Sequence, residues 1–410
     1  MTRPMGNTRL RAARMAAGYR SQQDLVDALA ARGVTVGIRQ VRRWESDNPP
    51  LPHPDVRKAL AELLGQDLAQ LGFTLPTGEA VPARRAAGSA LRPPNRGPIR
   101  TPNALQPASC SADFLSVTRA HRRLYWTVAP GTLHPAVSAH AALGVALLEA
   151  TTGRTRLTLG AALAESWLLA GRIEFFDLRE PGLAGDTWVR ALQAAGEADD
   201  TLLGAATLAH MAFIPGWAGN QQGAAERMVA ARTYARRGPA SAEFLAWLDA
   251  VEAECETRCG DTRTALNLIA HGEDLLDAGS EHPNPEWMDW FSPVRLQAFK
   301  GNTQLRAGHL PQARETLLHV LEELPADADK QRTVVLGDLA AVEAAAGAPH
   351  AAAEYAVRAL ELLEAHWYAT GLERVREVRR ALVPWQHEQC IRDLDDRLYG
   401  WGAVVSALAN

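Results

Sequence analysis

Residues 293–324 read PVRLQAFKGNTQLRAGHLPQARETLLHVLEEL. Gly308 punctuates the stretch and Ala313 follows five residues later, a turn with a small residue where the next helix must pack closely. The same G-x-x-x-x-A pattern recurs as GDTRTA at residues 260–265 and GAPHAA at residues 347–352, with a looser form, GNQQGA, at residues 219–224. The four glycines stand 41, 48 and 39 residues apart. Such spacing fits one helical hairpin per repeat, and each hairpin needs a neighbour to cover its apolar face. The fold class expected is all-α, with an α-solenoid over residues 111–410.

The rest of that region agrees. From Ser111 to Asn410 there is no strand alternation, only amphipathic stretches rich in Ala and Leu. The 410 residues, 47% hydrophobic and 22% charged, suffice for two or more domains with sizeable cores. Residues 76–110, rich in Pro, Arg, Gly and Ala, offer almost nothing to bury and read as a flexible linker of roughly 110 Å when stretched. The apolar run TLLGAATLAHMAFIPGWAG from Thr201 lacks charge, but Pro215-Gly216 is expected to break it, so it reads as a buried helix. No secretory h-region opens the chain, and the four cysteines are too sparse for a disulfide framework. A cytoplasmic protein without a membrane partner is expected. Cys255 and Cys259 lack a completing metal ligand and read as packed thiols, so no metal and no cofactor is expected.

Ahead of the linker, residues 1–75 carry 11 Arg+Lys against 7 Asp+Glu, and residues 76–110 carry 5 against 1. The remaining 300 residues carry 27 against 39. A basic head on an acidic body points to a polyanion partner for the head alone. The head is helical with short breaks. Ser21 and Asp24 suit a capping box, Thr35 is placed to cap a third helix, Gly18 and Gly33 suit left-handed ends, and Pro49-Pro50 stops continuation beyond Ser46. In VGIRQVRRWES, residues 36–46, a spacing of about 100° per residue puts Val36, Trp44, Val41 and Gln40 within one arc of about 140°. Ile38, Arg42, Arg39 and Arg43 span another arc of about 140° on the opposite side. One side wants a core, and the other wants anions.

These stretches resemble known families. Residues 9–73 resemble the XRE (Cro-type) helix-turn-helix domain: SQQDL matches the start of its second helix, VGIRQVRRWES its recognition helix and PDVRKALAELLG its fourth. The turn before the recognition helix, through AARGVTV, is longer than the family's. Residues 293–324 look like a tetratricopeptide repeat, with Gly301-Asn302, Gly308 and Ala313 at that motif's offsets. The combination resembles bacterial regulators whose solenoid senses a signal. It implies a five-helix DNA-binding domain at 1–75, the linker at 76–110, and a TPR-like ligand-binding and oligomerisation domain at 111–410.

By that resemblance Ile38, Arg39 and Arg43 read bases in the major groove, the arginines suiting guanine O6 and N7 and Ile38 a thymine methyl. Arg42, at the edge of the arc, and Gln22, at the start of the second helix, are assigned to phosphate. Tight binding by so small a head implies a homodimer on half-sites ~34 Å apart in double-stranded DNA. In the best repeat Arg295, Phe299, Asn302 and Arg306 form one stripe about 60° wide, which suits a peptide or anionic small-molecule effector. Trp247, Glu254 and Arg258 form a weaker stripe one repeat earlier. Trp287, Met288, Trp290 and Phe291 either wall a pocket or pack the core. Tyr368, Arg374, Arg376, Arg379 and Arg380 form either a charged face or an anion site. No phosphate loop, HExxH pair, GxSxG elbow or nucleophile–base set is present, so no enzyme is expected. The expected function is a sequence-specific transcriptional regulator with a ligand-sensing solenoid; a DNA-tethered interaction scaffold is the alternative.

Overall fold

The computed structural model describes residues 7–46, 49–68, 70–73, 107 and 109–408, and these hold eighteen α-helices and no strand. Two compact units divide the chain at residues 99 and 100. Of the linker expected at 76–110, only residues 107, 109 and 110 fall among those described.

In the first unit α1 (Thr8–Ala16), α2 (Gln22–Ala30), α3 (Ile38–Trp44) and α4 (Pro54–Leu64) enclose a core of Leu10, Leu25, Leu29, Val41, Trp44 and Leu60. The Ser21 capping box forms in full, because the two bonds lie within one turn and depend on no distant partner. Gly18 and Gly33 take positive φ, as their turns require. Thr35 caps nothing. The backbone stays extended to Gly37, which is the N-cap without a side-chain bond, because Val36 is drawn into the core instead. Starting at Ile38 narrows the buried arc of α3 to Val41 and Trp44, so Gln40 is exposed rather than turned inward. A fifth helix is not found among the described residues. After the left-handed Gly65 the chain forms turns, held by reciprocal bonds between Asp67 and Gln70 of 3.0 and 2.8 Å.

The second unit begins with α5 (Ser109–Leu124), α6 (Pro130–Glu149) and α7 (Gly153–Arg172), the last running into a π-helical turn at Ile173–Asp177. It continues with α8 (Pro181–Glu197), α9 (Thr201–Trp217), α10 (Gln221–Ala235), α11 (Ala242–Cys259) and α12 (Thr262–Ala278). Then come α13 (Pro293–Arg306), α14 (Leu310–Glu323), α15 (Asp329–Ala345), α16 (Pro349–Ala365), α17 (Ala369–Ala381) and α18 (Gln389–Leu408). Each odd-numbered helix from α7 to α15 packs on the even-numbered helix that follows, and the odd-numbered helices also touch one another in chain order. They form an inner row.

Small residues set the spacing of the pairs. At Gly301 an added Cβ would stand 2.6 Å from Leu317 Cδ2, so glycine is what lets α14 press against α13. Pro215 does not break α9, which continues through Gly216 to Trp217. Its missing N–H costs one bond in the last turn only, while most of the helix is buried. Among the described residues α6 is long and apolar enough to cross a membrane by length and composition. It also carries His140, stacked on Phe114 with ring centroids 3.8 Å apart.

The inner row closes on itself. Lys330 Nζ of α15 lies 2.8 Å from Asp177 Oδ1 in the π-helical turn, and Thr370 of α17 donates its hydroxyl to the Phe176 carbonyl at 3.1 Å. Arg179 and Glu373 add an ion pair of 2.8 Å across the same seam. The helices thereby surround a space between them.

Candidate functional site

Two sets of side chains stand out, one in each unit. In the first unit Val41 and Trp44 are fully buried and fix the roll of α3 about its axis. That roll leaves Arg39, Arg42 and Arg43 exposed and Ile38 partly so. The far end of α3 is tied down from several directions. Asn7 Nδ2 donates to the Trp44 carbonyl at 3.1 Å and to the Leu71 carbonyl at 2.9 Å. Glu45 accepts from Arg14 Nε at 2.8 Å and from Gln22 Nε2 at 2.7 Å, which joins α1 and α2 to the end of α3. Arg42 Nε donates to Gln22 Oε1 at 3.4 Å. Gln22, expected to meet phosphate, therefore also orients its neighbours. All five residues singled out for DNA contact lie on α2 and α3, which pack together.

In the second unit the inner row lines a partly open cavity of about 120 Å³. Its walls are aromatic: Phe176 from the π-helical turn, Phe213 and Trp217 from α9, Trp247 from α11, Trp290 from the segment before α13, and Tyr368 just before α17. Cations stand among the rings. The Arg172 guanidinium lies 4.4 Å from the Trp290 ring centroid and 5.0 Å from that of Tyr125, and Arg258 lies 3.7 Å from that of Trp217. Lys330 Nζ lies 3.9 Å from the Tyr125 ring centroid. Such contacts strengthen where water is excluded.

Burial governs the protonation of these groups. It holds the His210 imidazole down to about 3, with Arg172 adding repulsion. His210 Nδ1 donates to the Ala206 carbonyl at 2.8 Å, so the neutral ring carries its proton there. Burial also lifts the Tyr125 phenol well above its ordinary value, as Asp177 does. Burial pulls the Arg295 guanidinium below its ordinary range despite the nearby Tyr368, and Arg172 adds to the pull. Burial works against charge on Arg374 too, but Asp338, Glu254 and Glu377 outweigh it and raise the group.

Of the stripe expected to bind ligand, Arg295, Phe299 and Asn302 line the cavity. Asn302 is buried and donates Nδ2 to Asp338 Oδ1 at 2.9 Å, while Arg306 lies outside the lining and pairs with Glu377 at 2.8 Å. Trp247, Glu254 and Arg258 join the same wall. So do Trp290 and Phe291, whereas Trp287 and Met288 pack in the core. Tyr368 and Arg374 also line it, while Arg376 and Arg380 are exposed and Arg379 pairs with Asp395. Cys255 is a buried free thiol whose deprotonation burial opposes, and Cys259 is partly buried. Sequence reasoning missed Tyr125, Arg172, His210, Trp217 and Lys330. An arginine set in the apolar run LLAGRIEFF was the available signal, since a lone cation there must find an unusual partner. No family model matches this chain, and no curated protein matches it.

Proposed function

We propose that the chain is a sequence-specific DNA-binding transcriptional regulator. Residues 1–75 act as an XRE-type helix-turn-helix head, and the helical pairs of residues 111–410 act as a TPR-like solenoid that binds an effector and modulates DNA affinity. The observation that carries the reading is the division of α3: Val41 and Trp44 are buried while Arg39, Arg42 and Arg43 are exposed together. An α-helix fits the major groove, where guanidiniums on its outer side reach guanine edges or phosphate. A homodimer doubles the small contact area of one head and sets the half-site spacing. The lined cavity of the second unit favours effector sensing over a passive tether.

The test is selection of the full chain on randomised duplex DNA, followed by footprinting of the enriched fragments. Protection of a discrete site supports the reading, and absence of any protected fragment overturns it. Measuring affinity for that site with and without small-molecule cell extract then separates sensor from scaffold, since a tether shows no shift.

A further inference from the structure

The cavity of the second unit has more hydrogen-bond donors than acceptors. Lys330 is matched by Asp177 at 2.8 Å, Arg374 by Asp338 at 3.3 Å and Arg258 by Glu254 at 2.6 Å. Among the described residues no carboxylate stands within 4.0 Å of Arg172 or Arg295. Asp177 acts on Arg172 only at longer range. Arg172 is 7% exposed and meets rings, which engage a guanidinium through their π faces and leave its N–H edges without an acceptor. Trp217 Nε1 and Trp290 Nε1, in the same walls, are buried donors that also lack an acceptor. Arg295 has only the neutral Tyr368 hydroxyl as a hydrogen-bond partner, so two neighbouring guanidiniums without a carboxylate, beside two indole N–H groups without acceptors, make an expensive interior unless an anion enters.

The shape narrows the anion. A cavity of about 120 Å³ has room for on the order of ten waters, hence a ligand of roughly 10–15 non-hydrogen atoms. Contacts beside it join α15 and α17 to the end of α7, and the volume itself suits a small molecule better than an extended peptide. Flat aromatic walls favour a flat aromatic body, and a carboxylate takes the forked N–H edges of arginine.

We propose that this cavity binds a small aromatic carboxylate, with the carboxylate between Arg172 and Arg295 and the ring among Trp217, Trp290 and Phe213. The proposal rests on the reading of the second unit as an effector sensor, and its test involves no DNA. Isothermal titration of the full chain with benzoate, indole-3-acetate and 2-naphthoate, each beside its uncharged amide, gives the result. Saturable binding of at least one acid, with its amide weaker by about tenfold or more, supports the site. Arg295→Met, whose stem still packs, then removes the preference for acid over amide, and Arg295→Lys restores part of it. No saturable heat from any of the acids at millimolar concentration overturns the proposal, as does an amide binding as tightly as its acid. Tighter binding of phenyl phosphate than of every acid overturns the carboxylate assignment. If the titration fails while footprinting succeeds, only this proposal falls; if footprinting fails while an acid binds, only the DNA-binding reading falls.

Discussion

Lys330 Nζ and Asp177 Oδ1 lie 2.8 Å apart although 153 residues separate them, and the two side chains are 3% and 0% exposed. The pair joins α15 to the π-helical turn after α7 and so closes the inner row around the cavity. Removing one member leaves the other as a buried charge without its partner. Lys330→Met is expected to cost about 3–5 kcal/mol, read by chemical denaturation, and adding Asp177→Asn to recover part of the loss. Equal stability of wild type and Lys330→Met refutes the closure.

Base readers and phosphate contacts separate by their selectivity. Arg39→Ala is expected to cost about 1–3 kcal/mol at the selected site and little on unrelated DNA. Arg42→Ala should weaken all duplexes alike and lower the slope of log affinity against log salt by about 1. Titrations at several salt concentrations on both kinds of DNA decide it. Uniform loss with Arg39→Ala moves that residue to the phosphate group.

His210 and His140 give stability a defined dependence on acid. Burial holds them down to about 3 and about 4, both below the ordinary 6.5, so the unfolded chain takes up protons first as the pH falls. Their contribution is therefore complete above pH 6.5 and is withdrawn below it, down to about pH 3 for His210. Its share amounts to up to about 5 kcal/mol over that window. His210→Phe should lose stability less steeply between pH 6.5 and 4 than the wild type does. Parallel profiles would show that His210 is already solvated in the fold.

Close approach of α13 and α14 depends on Gly301. Gly301→Ala sets a methyl 2.6 Å from two carbons of the fully buried Leu317, and the expected cost is about 1–3 kcal/mol in thermal or chemical unfolding. Leu317→Ala added to it should relieve the collision, so that the two changes together cost less than their separate costs added. Strict additivity would mean that the helices are not in contact there.

Local features were readable from the residues alone. Ser21 and Asp24 form their capping box, Gly18 and Gly33 turn left-handed, and Val41 and Trp44 point inward, because each depends on bonds or periodicity within a few positions. The same kind of reading misplaced Thr35 and Gln40, since the start of α3 is decided by where Val36 finds its core rather than by capping preference. It put Arg295, Phe299, Asn302 and Arg306 on one stripe; the first three line the cavity, while Arg306 lies outside the lining and pairs with Glu377 on a later helix. Lys330 and Asp177 had no local signature, and the charge of Arg172 within LLAGRIEFF did not say which residues it would meet. Their meeting depends on the turn each helical pair adds relative to the one before, a sum over many packed interfaces that no single stretch of sequence contains. Helix type, the Ser21–Asp24 cap and the inward side of α3 at Val41 and Trp44 were thus determined by the chain itself. The closure of the inner row, and with it the cavity and its unmatched guanidiniums, was decided only by tertiary packing.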